Sequence, residues 1–314
     1  MAIETTAGPI EPDELGRTLI HEHLLSVSET VRTAFPHLHD EDAEYDRAVA
    51  AVKGVQSHRV KTIVDPSVMD LGRDIGFMSR VAQDTGIQLV PATGLYGMHY
   101  TFLPHHFQTR DEDYLADAFV HDVEQGIQGT EVKAAFLKCA ADEPGITPDV
   151  EKLHRAIARA SNRTGRPIMA HSRPASETGL DQMRIFTEEG VDPNKVQIAH
   201  TGDTDDLDYI EKLLQTGCWI GMDRFGIDLF LATEPRNKTV AALCERGYAE
   251  RMFLSADACS TLDWYPQEMI AQLAPKWTMT YIFEEILPAL GELGVTDEQI
   301  TTMLDENPVR WLTA

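Results

Sequence analysis

Eight short apolar runs punctuate the chain. They are RTLIHEH (17–23), KTIVDPS (61–67), QLVPATGLY (88–96), AFLKCAA (135–141), PIMAHS (167–172), VQIAHTGD (196–203), CWIGMDRFG (218–226) and MFLSADA (252–258). Each has the length and continuous apolar character of a strand covered on both faces. The spacers between them are longer and carry helical periodicity. Thr147-Pro148 opens one helix, with Val150, Leu153 and Ile157 on one face and Gly165 just past its end. LDQMRIFTEEG (180–190) and DLDYIEKLLQTG (206–217) both run into a terminal glycine. In the second, Leu207, Ile210 and Leu213 or Leu214 form the stripe expected to be buried. Thr296 and Gln299 make a capping box for a last helix, and Pro308 stands where that helix is expected to stop.

Strands alternating with helices predict an α/β fold, either a (β/α)8 TIM barrel or a large doubly wound sheet. No Gly-x-Gly-x-x-Gly follows the first strand, which removes the main dinucleotide signature of the doubly wound alternative. There is no internal repeat, low-complexity tract or Pro/Ser-rich linker. A single domain over residues 1–314 is expected, a length within reach of one barrel.

Composition narrows the partners. The formal net charge is −24, which counts against nucleic acid and anionic membranes. No apolar run approaches the roughly 18 residues of a spanning helix. Cys139, Cys218, Cys244 and Cys259 are scattered without a Cys-x-x-Cys pair, and the acidic N-terminus lacks an apolar leader core. Both features point to a reducing, cytoplasmic compartment.

The chemistry gathers at the strand ends. His21 and His23 end the first run, Lys138 lies in the fourth, and His171 ends the fifth. His200 closes the sixth, followed by Asp203, and Asp257 lies in the eighth. In a barrel these positions share the C-terminal rim, where the βα loops converge. Side chains of one strand alternate faces, so His21 and His23 are expected to point the same way. A second His-x-His pair, His37 and His39, follows Pro36 and runs into an acidic cluster, so it reads as loop histidines. His99, His105 and His106 fall in the long segment after the third strand, where a loop role is expected.

Four histidines, one aspartate and one lysine exceed what a single metal needs. A lysine on an apolar strand must pair with an acid or lose its charge. A neutral amine can capture carbon dioxide, and the resulting carbamate could bridge two cations. Two metals sharing a hydroxide make a strong nucleophile at neutral pH.

With these residues the sequence resembles the phosphotriesterase-like lactonases of the amidohydrolase superfamily, over nearly its whole length. TLIHEH, KTIVDPSVMDLGRDI, ATGLY, AADEPGIT, GLDQMRIFTEEGVDP, HTGDTDDLDYI, GMDRFGIDLF and the final ENP carry the resemblance. It implies a (β/α)8 barrel with two divalent ions: zinc, or iron, cobalt or manganese. His21, His23 and Asp257 would hold the more buried ion, and His171 and His200 the more exposed one. N6-carboxylated Lys138 and a hydroxide would bridge them. Tyr96 stands at the family's active-site tyrosine and Arg224 at its pocket arginine. The implied reaction is attack of the bridging hydroxide on a lactone, an acyl-homoserine lactone or a γ- or δ-lactone, with weaker hydrolysis of organophosphate triesters. Asp257 would pass the proton to the leaving alkoxide through an oxygen left free of metal, and Tyr96 would steady the developing charge. A phosphotriesterase proper, or another amidohydrolase acting on esters or amides, is the alternative. The family is usually a homodimer.

Three stretches depart from close relatives: GMHYTFLPHHF after Tyr96, SRPASETG after His171, and Ser255-Ala256 before Asp257. They leave the metal set intact and bear on pocket shape. The segment 260–281 is long for a βα loop. Its Leu262, Trp264, Tyr265, Met269, Ile270 and Leu273 offer an apolar surface, either for an acyl chain or as a short helix packed on the barrel or a second subunit.

Overall fold

The computed structural model describes residues 1–96 and 103–314. Its strands are β1 (Arg17–Leu19), β2 (His23–Ser26), β3 (Val60–Asp65), β4 (Gln88–Gly94) and β5 (Phe136–Ala140). Then come β6 (Ile168–His171), β7 (Val196–Ala199), β8 (Trp219–Met222), β9 (Met252–Leu254) and β10 (Cys259–Leu262). β1 and β3 to β9 join in chain order as one eight-stranded parallel sheet, with helices between successive strands. This is a nearly closed (β/α)8 barrel. β2 and β10 lie outside it as a separate parallel pair, with Cys259 opposite His23 and Leu262 opposite Ser26.

Alternation along the strands builds two apolar layers. Leu137, Ile168, Ile198 and Ile220 belong to the larger cluster shared with the helices. Phe136, Met169, Ala199 and Phe253 belong to a second cluster, closed by Trp311 and the N-terminal Ile3 and Leu15. Phe136 and Lys138 are two residues apart on β5, so they share the inward face. The apolar layer thus fills the barrel directly beneath the lysine.

The helices begin and end as their caps dictate. The Thr147 hydroxyl accepts from the Val150 N–H, and Pro148–Thr164 stops at Gly165 in a left-handed conformation. Asp206 caps Leu207–Gln215, which buries Tyr209, Ile210, Leu213 and Leu214. The capping box at Thr296 and Gln299 is present. Pro308, however, does not stop the last helix. Asp297–Thr301 passes through a π turn, Thr302–Glu306, into Asn307–Leu312. The same sequence of turns precedes Pro288, where the π turn Ile282–Ile286 leads into Leu287–Glu292. A wider turn lets a helix pass a residue that has no N–H to donate.

The first predicted strand is also corrected. Residues 17–23 are not one strand: β1 ends at Leu19, and the chain breaks through Ile20, His21 and Glu22 before β2 begins. β7 and β9 stop short of His200 and Asp257, whereas Lys138 lies within β5 and His171 ends β6. Among the described residues no helix is long and apolar enough to cross a membrane. All four cysteines are free.

Behind β6 lies His154, fully buried in Pro148–Thr164. Its Nδ1 is 2.7 Å from the Val150 carbonyl oxygen and its Nε2 is 3.0 Å from Gln182 Nε2, which also donates to the His171 carbonyl. Both bonds need a neutral ring, with Nδ1 donating and Nε2 accepting. Burial lowers its pKa from 6.5 to about 4. The folded state therefore has its full advantage above pH 6.5 and loses it as pH falls toward 4, because only the unfolded chain takes up the proton. Between pH 7 and pH 4, His154→Gln should lose less stability than the parent, by on the order of 3 kcal/mol, in denaturant titrations of the metal-free protein. Equal losses would show that His154 does not titrate with folding.

Candidate metal centre

His21, His23, Lys138, His171, His200 and Asp257 meet at the C-terminal mouth of the barrel, where all six line one cavity. The histidines and the lysine are buried, and Asp257 is nearly so. Asp257 Oδ1 lies 3.2 Å from both His21 Nε2 and His23 Nε2. His200 Nε2 is 3.9 Å from Asp257 Oδ2, and Lys138 Nζ is 3.3 Å from His21 Nε2. The rings of His171 and His200 are 4.4 Å apart, and those of His21 and His200 are 4.9 Å apart. His21 and His23 do converge, although not by strand alternation, since they flank the break between β1 and β2.

Each imidazole is held from behind. Asp223 Oδ2 is 2.9 Å from His21 Nδ1, and its Oδ1 is 3.0 Å from His200 Nδ1 and accepts the His200 backbone N–H at 2.8 Å. His23 Nδ1 is 2.8 Å from Ser67 Oγ, whose proton goes to the Leu25 carbonyl. The serine oxygen is therefore left to accept from the ring. His171 is turned the other way: its Nε2 is 3.2 Å from Asp142, and its Nδ1 lies 3.5 Å from the Tyr96 hydroxyl. In His21, His23 and His200, Nδ1 is occupied and Nε2 faces Asp257.

Charge states follow from burial. Desolvation lowers the pKa of His21, which Lys138 depresses further; it lowers His171 to about 4 and His200 well below 6.5. These rings are neutral at pH 7, with lone pairs free to bind a cation. Burial also lowers Lys138 to about 8. Among the described residues Lys138 makes no ion pair within 4.0 Å, so the structure does not contain the salt bridge that would have been its structural explanation. Burial works against the ionised form of Asp257, and the Arg224 guanidinium bonded to its Oδ2 helps to hold the pKa low.

The backbone at the mouth is irregular. His200 (φ 64°) and Asp257 (φ 52°) both adopt left-handed conformations, which cost a non-glycine residue on the order of 1–3 kcal/mol and concentrate at functional sites. Gly94 (φ 140°) stands where β4 passes Lys138: a Cβ there would lie 1.9 Å from the Lys138 carbonyl oxygen.

The donor set suits divalent cations. His21, His23 and Asp257 present atoms within 4.8 Å of one another, as do His21, His200 and Asp223. Neutral imidazoles with a carboxylate are ligands typical of zinc and its first-row neighbours. In the second group both Asp223 oxygens already bond imidazoles, so Asp223 orients the rings.

A model of the phosphotriesterase family matches residues 1–312. The chain belongs to the phosphotriesterase family. It is 51% identical over 304 residues to the aryldialkylphosphatase of Saccharolobus solfataricus, covering 96% of each chain. It is 43% identical over 316 residues to the phosphotriesterase homology protein of Mycobacterium tuberculosis, covering 98% of this chain and 96% of that one. The solved structure of the phosphotriesterase from Mycobacterium tuberculosis superposes with a TM-score of 0.96, covering 99% of this chain and 98% of that chain. The protein is thus a metal-dependent hydrolase of this family.

Above the phosphotriesterase-family centre lies a cavity of about 350 Å³. Leu262, Trp264, Tyr265, Met269, Ile270 and Leu273 line it, the last three from the short helix Gln267–Leu273. The expected apolar surface and the expected helix are therefore the same element. Tyr96 closes one wall, its ring 6.1 Å from that of Trp264. Burial raises the Tyr96 pKa, so the hydroxyl keeps its proton. Arg224 also lines the cavity, but its guanidinium is committed: Nε donates to Asp257 Oδ2 and Nη1 to Asp203 Oδ2, each at 3.0 Å, and it stacks on Phe230 at 4.7 Å. The second oxygen of Asp257, expected to be free, is therefore engaged by Arg224.

Leu229, Phe230 and Trp277 line the cavity as well and were not anticipated. Asp223 was also missed, although it directly follows β8, where the strand-end rule that singled out the other residues would have found it. His37 and His39 fall outside the candidate metal groups among the described residues. His106 pairs with the Tyr114 hydroxyl at 3.1 Å, in and beside the short helix His105–Gln108, and neither His105 nor His106 lines the cavity. His99 lies outside the described residues.

Asp223→Asn should weaken metal retention by about 10–100-fold, because an amide cannot accept from both rings. Metal content after graded chelation is the measurement. The double variant His37→Ala/His39→Ala should retain metal as the parent does; loss from it would reassign the centre.

Proposed function

We propose that this enzyme is a lactonase. It would open acyl-homoserine lactones or γ- and δ-lactones, and hydrolyse organophosphate triesters more slowly. The observation that carries this reading is the apolar cavity, which runs from Leu229 and Leu273 down to four histidines and Asp257. Such a shape suits a substrate with a polar, electrophilic head and an apolar tail. His21, His23 and Asp257 would hold one divalent ion and His171 and His200 the other, with N6-carboxylated Lys138 between them. Bound there, divalent cations supply Lewis acidity and an activated water.

The chain's own groups do the rest. The Tyr96 hydroxyl, protonated and turned to the centre, donates to the oxygen on which charge develops. Asp257 Oδ2 accepts the proton destined for the leaving alkoxide, and Arg224 Nε fixes that oxygen at 3.0 Å. The cavity's apolar walls bind the acyl chain and exclude water. A homodimer is proposed on the exposed Val31, Phe35 and Leu38, which line a groove shared with Tyr265. A single-chain mass by light scattering would remove that proposal.

A pH-indicator assay tests the activity on metal-loaded protein, using long-chain acyl-homoserine lactones, δ-lactones, paraoxon and simple esters and amides. Lactones should turn over faster than paraoxon, and both Lys138→Ala and the chelated enzyme should be inactive. Faster turnover of paraoxon would make the protein a phosphotriesterase proper, as the name of the Saccharolobus relative suggests. Preference for simple esters or amides would move it to another amidohydrolase reaction.

The carbamate has its own readout. Protein loaded in 13C-bicarbonate should show one carbamate resonance that chelation removes and that Lys138→Ala lacks. A loaded, active enzyme without the resonance would leave Lys138 an ordinary amine.

A further inference from the structure

Glu22 lies between His21 and His23, fully buried. Its Oε1 accepts the Ala256 backbone N–H at 2.8 Å and the Ser255 hydroxyl at 2.8 Å. Its Oε2 accepts the Ala258 backbone N–H at 2.7 Å. One carboxyl group therefore holds the N–H groups on both sides of Asp257. The arch 255–258 is the segment that turns through the left-handed conformation at Asp257.

The location matters as much as the bonds. β1 and β9 are the two ends of the barrel sheet, and no strand ladder joins them. Between these ends and the β2/β10 pair that follows them in the chain, the seam is closed by single bonds. The Asp257 N–H donates to the His21 carbonyl at 3.0 Å, and the His23 N–H donates to the Ala258 carbonyl at 2.9 Å. The His21 N–H donates to Ser255 Oγ at 3.0 Å, and that same hydroxyl donates to Glu22. Of the other N–H groups of the arch, that of Ser255 goes to the Met222 carbonyl, and those of Ala256 and Ala258 both end on Glu22. Without this carboxyl group they would be buried donors with no acceptor, and a left-handed aspartate would lose the bonds that over-determine it.

We infer that Glu22 is a positioning residue of the metal centre, which holds Asp257 in register with His21 and His23 across the open seam of the barrel. This rests on the ion placement proposed above. Glu22 touches neither ion nor substrate; it acts through the backbone of the three residues that would bind one ion. Its removal should therefore loosen that ion and spare the one assigned to His171 and His200.

The test uses the full chain loaded with Co2+, as the parent, as Glu22→Gln and as Ser255→Ala. Metal content is read after graded chelation, together with amide hydrogen exchange across 255–258 in the metal-free protein. The glutamine variant should fall from two ions per chain to one at about 10–100-fold lower chelator than the parent. It should also exchange the Ala256 and Ala258 amides faster while the barrel helices remain protected. Ser255→Ala, which keeps the Glu22 bonds to Ala256 and Ala258, should shift both readouts in the same direction by less, and it carries the test if the glutamine variant does not fold. Parental chelator resistance in the folded variants would overturn the inference. So would equal loss of both ions in step with a lowered melting temperature, matched by the remote Trp311→Phe, because that would describe a merely structural residue. A parent that does not bind two ions would overturn the ion placement and this inference together. Unchanged ion retention in Glu22→Gln, with two ions in the parent, would overturn this inference alone.

Discussion

Loss of water is the constraint on which the mouth of the barrel depends. Where water is excluded, an imidazole sheds its proton, an amine approaches neutrality, and a carboxylate stays charged only if enough donors face it. His21, His171 and His200 obey the first part of this rule, Lys138 the second, and Asp223 and Asp257 the third. The result is a set of neutral nitrogens and one shared carboxylate aimed at a common point. The same low dielectric makes every misplaced polar atom costly. This is why each ring has a dedicated partner behind it, and why those partners are themselves anchored: Asp223 by the His200 N–H, and Ser67 by the Leu25 carbonyl.

Regular structure brings this set only part of the way. β5 and β6 deliver Lys138 and His171 by simple alternation. His200 and Asp257 come from residues just past a strand, where the backbone inverts, and His21 and His23 come from a strand that breaks. The break and the inversion at Asp257 face each other across the β1/β9 seam. There, two single backbone bonds and the side chains of Glu22 and Ser255 stand in place of a β1/β9 ladder, and the backbone can take shapes that a continuous sheet would forbid. A barrel closed by eight regular pairings could not offer Asp257 to two histidines at once in this way.

Much of this was legible in the chain. Eight apolar runs, five of them carrying a histidine, lysine or aspartate of the right chemistry, state the barrel and its rim together, because strand burial and rim position are both local properties. What stayed hidden depends on distant neighbours. The break after Leu19 cannot be read from RTLIHEH, since the groups that hold it open are the N–H groups of residues 256 and 258. Pro308 reads as a stop signal because a π turn leaves no mark in a hydrophobic pattern. Leu229 and Phe230 look like surface residues, and they are largely exposed; only the loop's position over the mouth makes them a wall. Asp223 was local and readable, and was passed over beside the more conspicuous Arg224.

The charge balance of the mouth bears on the kind of molecule it admits. The protein as a whole is strongly anionic, and a field of that sign disfavours anionic ligands before they reach the cavity. Inside, Arg224 is the permanent cation on the wall, and Asp203 and Asp257 already neutralise it. The remaining lining from Leu229 to Leu273 is apolar. Apart from any bound ions and the buried Lys138, the described lining therefore provides no unneutralised positive charge for a phosphate monoester or a carboxylate tail. A neutral electrophile with an apolar substituent meets no such penalty, and a lactone and a phosphotriester are both molecules of that kind. The walls thus disfavour charged ligands and leave the choice among neutral ones to shape, to which Tyr96, Trp264 and the short helix that follows contribute.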